Sequence, residues 1–232
     1  DLGAGDWGLI PDAAVVVRGD RVEWVGPDAS CPPADEVIDG AGGVLLPGLV
    51  DSHTHAVWAG SRADEFRRRL AGEDYSAILE AGGGILSTVR QTRAATDDAL
   101  VDATTRRLAQ AMDLGVTTME VKSGYGLDPV HEPRLLRAAI AAGQASGVRV
   151  LPTFLGAHTV PAELRGDREA YVRQVVEEQL PAVQGLAAFA DVYVDRGAFT
   201  VEEGRRILTA ARQAGLQLRV HAEQVEYTGV AA

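Results

Sequence analysis

The sequence predicts an α/β chain, with a small β-rich segment over residues 1–48 followed by parallel β/α units over 49–232. Three observations point there. Short β-branched runs crowd the first 48 residues. From Leu49 onward, short apolar runs alternate with stretches whose apolar residues recur at i, i+3, i+4 and i+7. Those are the two signatures of buried strand and amphipathic helix. Hydrophobic residues make up 46% of the 232 and charged residues 24%, enough for a sizeable core and unlike a disordered chain.

The elements follow in order. AAVVV (13–17) is a β-branched run, RGDR (18–21) supplies turn residues, and VEWVG (22–26) alternates. That is a hairpin pattern, and the RGD tripeptide is read as its turn. DASCPPADE (28–36) is a polar loop. EVIDG (36–40) and GVLLPGLVD (43–51) are expected to be two further strands, the second broken by Pro47 and Gly48. LVDSH (49–53), GVTTMEVKS (115–123), VRVLPTFLGAH (148–158), ADVYVD (190–195) and LQLRVHA (216–222) read as buried strands. Helical periodicity fills 97–115, 132–147, 167–184 and 200–215. Thr200 with Glu203 makes a capping box, and Gly215 sits where a helix ends. Strands alternating with helices imply parallel units. The count comes out about three units short of a closed eight-unit barrel.

Charge and motif content exclude several function classes. Lys and Arg number 22 against 33 Asp and Glu, a formal charge of −11, with no extended basic patch to hold a nucleic-acid backbone. Cys31 is the one cysteine, so an intrachain disulfide framework and a CxxC metal site are excluded. No apolar run approaches the ~18–20 residues of a membrane span, and DLGAGDWG carries neither a basic nor an apolar leader region. A cytoplasmic protein acting on a small molecule is expected. No Gly-x-Ser-x-Gly motif occurs, so nucleophilic serine chemistry has no support. AGGGI (81–85) lacks the Lys-Ser/Thr of a phosphate-binding loop and is read as a loop near the mouth of a site.

The sharpest chemical signal is the pair His53 and His55. Residues two apart on a strand point to the same side, so both imidazoles face one point, as a metal ion requires. His221 ends the fifth strand and completes a candidate triad; by itself a histidine there is more often a packed or surface residue. Imidazole suits zinc and also iron. Tyr125, between Gly124 and Gly126, and His158 end the second and third strands on the same face. Each also reads as a local packing or surface residue. Arg62 follows shortly after the histidine pair, where a guanidinium can clamp a carboxylate or simply form a surface ion pair. His131 is read as a surface residue, and EFRRRL (65–70) as a solvated helix face.

The segments PGLVDSHTH, AGGGI, SGYGLD, FLGAH and VHAEQ, in that order, resemble the imidazolonepropionase family of the amidohydrolase superfamily, from about Val15 to Ala232. The resemblance implies a metal-dependent, amidohydrolase-type TIM (β/α)8 barrel, of which this chain carries about the first five units. Residues 1–48 would then be the N-terminal part of a β-sandwich-like domain. It implies hydrolysis of the cyclic amide of 4-imidazolone-5-propanoate to N-formimidoyl-L-glutamate, in histidine degradation. It implies one zinc or iron ion per subunit on His53, His55 and His221, and substrate contacts at Arg62, Tyr75, Tyr125, His158 and Gln224. By analogy it also carries a homodimer.

The sequence departs from that family in one respect. The family has a further histidine on its sixth strand and, on its eighth, an aspartate that binds metal and takes a proton. This sequence ends at TGVAA. Residues 1–232 are therefore expected to be part of a longer chain, incompetent alone, with exposed sheet edges. Two other readings stay open. One is another amidohydrolase, such as an amino-heterocycle deaminase; the other is an inactive metal-binding fragment.

Overall fold

The computed structural model describes residues 8–74 and 82–230. The chain divides into two compact units, Asp1–Pro47 and Gly48–Ala232.

In the first unit, β1 (Ala13–Arg18) pairs antiparallel with β2 (Arg21–Pro27), with a bulge between Val16 and Val17. Gly19 takes φ +61 at the turn, a conformation free to glycine. The expected strands at 36–40 and 43–48 are absent; the next strand begins only at Leu49. Val37 and Ile38 are 84% and 87% exposed. Among the described residues β1 pairs only with β2, so these apolar stretches have no ladder to join. An extended segment without a partner for its N–H and C=O groups gains nothing as a strand.

The second unit is a five-stranded parallel sheet in the sequential order β3-β4-β5-β6-β7. Its strands are β3 (Leu49–Thr54), β4 (Val116–Lys122), β5 (Arg149–Ala157), β6 (Phe189–Val194) and β7 (Gln217–Ala222). A doubly wound sheet reverses its strand order at a switch point. This one does not, so it is an arc of a (β/α) barrel. The helices are α1 (Ala63–Leu70), α2 (Ile85–Ala94), α3 (Asp97–Asp113), α4 (His131–Ser146), α5 (Arg168–Gln174) and α6 (Val201–Gln213).

Local signals explain their limits. Thr96, Asp167 and Thr200 each accept a backbone N–H at a helix start, and Thr200 with Glu203 forms the full capping box. The expected stop at Gly215 takes φ +86, one residue past the Ala214 cap. After α5 the backbone widens to a π-turn over Val175–Gln179, which ends two residues before Pro181. Proline has no N–H for the carbonyl four residues back, and the wider turn absorbs the defect.

Two apolar clusters weld helices to sheet. Leu100 and Leu108 of α3 pack with Leu135 and Ala139 of α4 and with Met119 and Val121 of β4. Tyr171, Val175 and Ile207 pack with Phe154 of β5 and Val192 of β6. A fully buried Leu or Phe is worth about 1.5–3 kcal/mol each. These clusters hold the strand ends at one level, where His55, Lys122, His158 and His221 emerge.

Candidate functional site

His53 lies near the end of β3 and His55 one residue past it, two apart so that strand geometry turns them to one side. The register of β3 against β4 is held there by Glu120, which takes the Thr54 N–H at 3.2 Å and the Thr54 hydroxyl through its own carbonyl at 2.6 Å. The loop beyond is pinned from outside. Arg107 of α3 donates to the Ala56 and Trp58 carbonyls at 2.8 Å each, with its guanidinium 3.7 Å over the indole. Thr92 and Gln91 of α2 accept the Ala59 and Ser61 N–H groups at 3.1 and 3.3 Å.

One ligand atom from each of His53, His55 and His221 lies within 4.8 Å of the others. His158 stacks on His55 at 4.9 Å between ring centres, and Tyr125 stands 5.3 Å from His158. Four imidazoles from β3, the end of β5 and β7 thus share one face with Tyr125, which the sequence reading anticipated.

The environment favours the neutral form of three of these rings, His53, His55 and His158. Burial, then the neighbouring His158, His221, His53 and Lys122, push His55 down to about 3. Burial pushes His158 down to about 4. His53 is lowered by burial and by Lys122 and His221. Neutral imidazole is the ligating form. The His55 Nδ1 is buried with no hydrogen-bond partner among the described residues, an uncommon state for a buried polar atom unless something else engages it. The donor set fits a single zinc or iron ion.

Hydrogen bonds assign two tautomers. The His158 Nδ1 lies 2.9 Å from the Gly124 carbonyl. A carbonyl only accepts, so Nδ1 carries the hydrogen and Nε2 keeps its lone pair. The His221 Nδ1 lies 3.0 Å from Asp191 Oδ2. A carboxylate likewise accepts, which leaves Nε2 of His221 to ligate.

The Tyr125 turn is built on Glu132, a buried acid in the first turn of α4. Glu132 accepts N–H groups from Gly124 at 3.0 Å, Gly126 at 2.8 Å and Leu127 at 2.7 Å. Burial pushes its carboxyl up, against hydrogen bonds from Ser123 and these amides. A Cβ on Gly126 would meet backbone at 2.6 Å, so only glycine fits. Gly124 takes φ +96. Burial raises the Tyr125 phenol, while Arg62 and Arg107 pull it down, so Arg62 acts on this face. Arg62 itself is exposed, at the cap of α1.

Other expectations fare differently. Tyr75 lies outside the described residues. Gln224 is exposed in the loop after β7 and is held by its backbone: Asp195 takes the N–H groups of Gln224 at 2.7 Å, Val225 at 2.9 Å and Glu226 at 3.3 Å. His131 is half-buried rather than a surface residue, because its Nδ1 turns back to Asp128 at 2.7 Å. Gly84 caps α2 and donates to Glu65 at 3.0 Å.

Asp195 yields a pH prediction. Burial raises its carboxyl, but the four backbone N–H bonds, from Val225, Arg196, Gln224 and Glu226, lower it overall. Its contribution is therefore present above the ordinary aspartate range and lost only as pH falls through the lower folded value. Amide exchange at Gln224 and Val225 is expected to stay protected at pH 5 and to rise in stronger acid. An Asp195→Ala protein should show the fast exchange already at neutral pH. Equal protection in that variant would remove Asp195 as the loop's anchor.

The sequence reading passed over Asp191, Lys122, Glu120 and Tyr193. Asp191 of β6 holds His221, and burial of Asp191 is overcome by His221 and Lys122, which bring its carboxyl down to about 2. Lys122 bonds Glu120 Oε1 at 2.6 Å and Asp191 Oδ2 at 2.7 Å, all three buried. Tyr193 stacks on His221 at 4.8 Å. The signal was present: TTMEVK and FADVYV place charges inside apolar strand runs, where they are rare unless paired.

No family model matches the chain. Curated relatives do. The chain is 50% identical over 226 residues to an imidazolonepropionase from Myxococcus xanthus, covering 94% of this chain and 54% of that one. It is 52% identical over 231 residues to one from Rubrobacter xylanophilus, covering 97% and 55%. The chain is thus similar to imidazolonepropionases over nearly its whole length. It spans about half the length of the imidazolonepropionases it matches. Among solved structures, a mutant organophosphorus hydrolase from Deinococcus radiodurans aligns with TM-score 0.42 at 14% identity, over 76% of this chain and 50% of that one. Among the described residues no helix is long and apolar enough to cross a membrane.

Proposed function

We propose that the protein is a cytoplasmic imidazolonepropionase that opens the cyclic amide of 4-imidazolone-5-propanoate by hydrolysis, giving N-formimidoyl-L-glutamate. The observation that carries this is the convergence of His53, His55 and His221 within 4.8 Å in a chain half-identical to imidazolonepropionases. On the same homology, residues 1–48 and 49–232 are read as parts of a β-sandwich-like domain and of the barrel, and the assembly as a homodimer.

His53, His55 and His221 would hold one zinc or iron ion. When bound, such a cation supplies Lewis acidity for a carbonyl and for water. The chain's own residues bind and orient the substrate. Arg62 takes the propanoate: an anion entering a chain of charge −11 needs a local cation, and a guanidinium fork matches a carboxylate. Tyr125 stays protonated well past neutral pH, so its hydroxyl donates to the same carboxylate, with Tyr75 as a further contact. His158 offers the Nε2 lone pair to a ring N–H, since its Nδ1 is engaged by Gly124. Gln224 borders the ring from the loop that Asp195 anchors.

The test is turnover by the full-length protein loaded with zinc or iron, followed as loss of imidazolonepropanoate absorbance with and without chelator. Chelator-sensitive loss yielding formimidoylglutamate is expected. No loss with metal bound and fold intact overturns the substrate and directs the search to amino-heterocycles that release ammonia. Arg62→Ala is expected to raise KM by about 10–100-fold, the loss of a charge-assisted hydrogen bond or two, with a smaller change in kcat. An unchanged KM would remove Arg62 from the clamp.

A further inference from the structure

We propose that Lys122 is a positioning residue for the metal centre: its buried contact with Asp191 fixes which ring nitrogen of His221 faces the cation. The proposal rests on the metal-site reading above. Lys122 is fully buried at the end of β4, and Asp191 is buried on β6. Barrel interiors fill in layers drawn from alternate strands, so side chains of β4 and β6 meet across the intervening β5. The contacts form a chain. Glu120 Oε1 takes Lys122 Nζ at 2.6 Å, Lys122 Nζ reaches Asp191 Oδ2 at 2.7 Å, and Asp191 Oδ2 takes His221 Nδ1 at 3.0 Å.

The convergence on one oxygen is what makes Lys122 decisive. Asp191 Oδ1 is buried with no partner among the described residues, so both of the carboxylate's contacts fall on Oδ2. An ammonium only donates. It therefore pins Oδ2 in place, and an acceptor pinned 3.0 Å from the ring aligns with the N–H at Nδ1 of His221. That turns Nε2 toward the cation, the arrangement of carboxylate-supported histidine ligands. Without Lys122, no other Lys or Arg among the described residues pairs with Asp191, and Oδ2 keeps only its contact with the ring it has to orient. A buried ion pair stabilises a fold little compared with apolar residues of similar volume. Fixing a geometry is a use for it that stability does not supply.

The test reads the histidine directly. Metal-free protein carrying ¹⁵N-histidine gives separate nitrogen signals for the two tautomers, with His221 assigned by its loss in His221→Asn. The wild type is expected to show hydrogen on Nδ1. In Lys122→Met the signal should move toward the other tautomer or a mixture, and zinc affinity from chelator competition should weaken about 10–100-fold. Arg206→Ala, at an exposed ion pair with Glu169, should keep the wild-type signal. An unchanged His221 signal and affinity in Lys122→Met overturns the proposal, as does an equal shift in Arg206→Ala. Should Lys122→Met fail to fold, Lys122→Gln, which leaves Asp191 and His221 intact, is read by the same criteria. A wild type that binds no zinc would sink the metal-site reading instead, while the tautomer signal still decides the role of Lys122.

Discussion

On the metal site proposed above, a His55→Ala protein is expected to bind added zinc more than about 100-fold more weakly while remaining folded, a larger loss than outer partners of metal ligands cause. The cluster has three imidazoles within 4.8 Å, and two leave the cation short of the three protein ligands that open metal sites keep. The fold should survive for a specific reason. The His55 Nδ1 makes no hydrogen bond among the described residues, so truncation at that atom orphans no partner. What is lost is packing against His158 at 4.9 Å and Tyr125 at 6.1 Å, about 1–3 kcal/mol. Metal content after dialysis, chelator competition and a denaturant curve check both halves. Full metal stoichiometry at wild-type affinity in the variant would place the cation elsewhere.

The second large effect falls on stability. Glu132→Ala strips the acceptor from three buried amides, those of Gly124, Gly126 and Leu127. Each unsatisfied buried N–H costs about 1–3 kcal/mol. The buried carboxyl has its own desolvation penalty, which its removal gives back, so the net loss is expected at about 3–5 kcal/mol. For a chain of this size that is roughly a 10 °C fall in Tm. Leu127 sits at φ +57, a strained conformation for a branched residue that persists only while its surroundings impose it. The turn carrying Tyr125 should therefore loosen first, read as faster exchange at Gly126 and Leu127. A Tm close to the wild type with unchanged exchange would show that the turn does not depend on Glu132.

Much of the site was legible before any coordinates. His53 and His55 are separated by one residue in an apolar strand, and a period of two leaves them a common side. His221 closes a buried run, and Thr200 with Glu203 announces a helix start by local chemistry. Glu132 was not legible. In DPVHEP it reads as a solvated first-turn acid, and it is buried only because the SGYG turn folds over it. Residues 36–48 failed in the opposite direction. Their apolar pattern is strand-like, but a strand is a relation between two segments, and none among the described residues pairs with them.

By itself the sequence determined the period of each element, its caps, its order, and therefore which histidines stand at strand ends. These depend on neighbours within a few residues, and side-chain spacing encodes them. Tertiary structure alone decided that Lys122 meets Asp191, that Asp191 meets His221, and that Arg107 holds the loop beyond His55. Such contacts form between groups about 3 Å apart on strands and helices far separated in sequence. Their distance depends on register, sheet curvature and the packing of α3 and α4 on the sheet, and no local period specifies those.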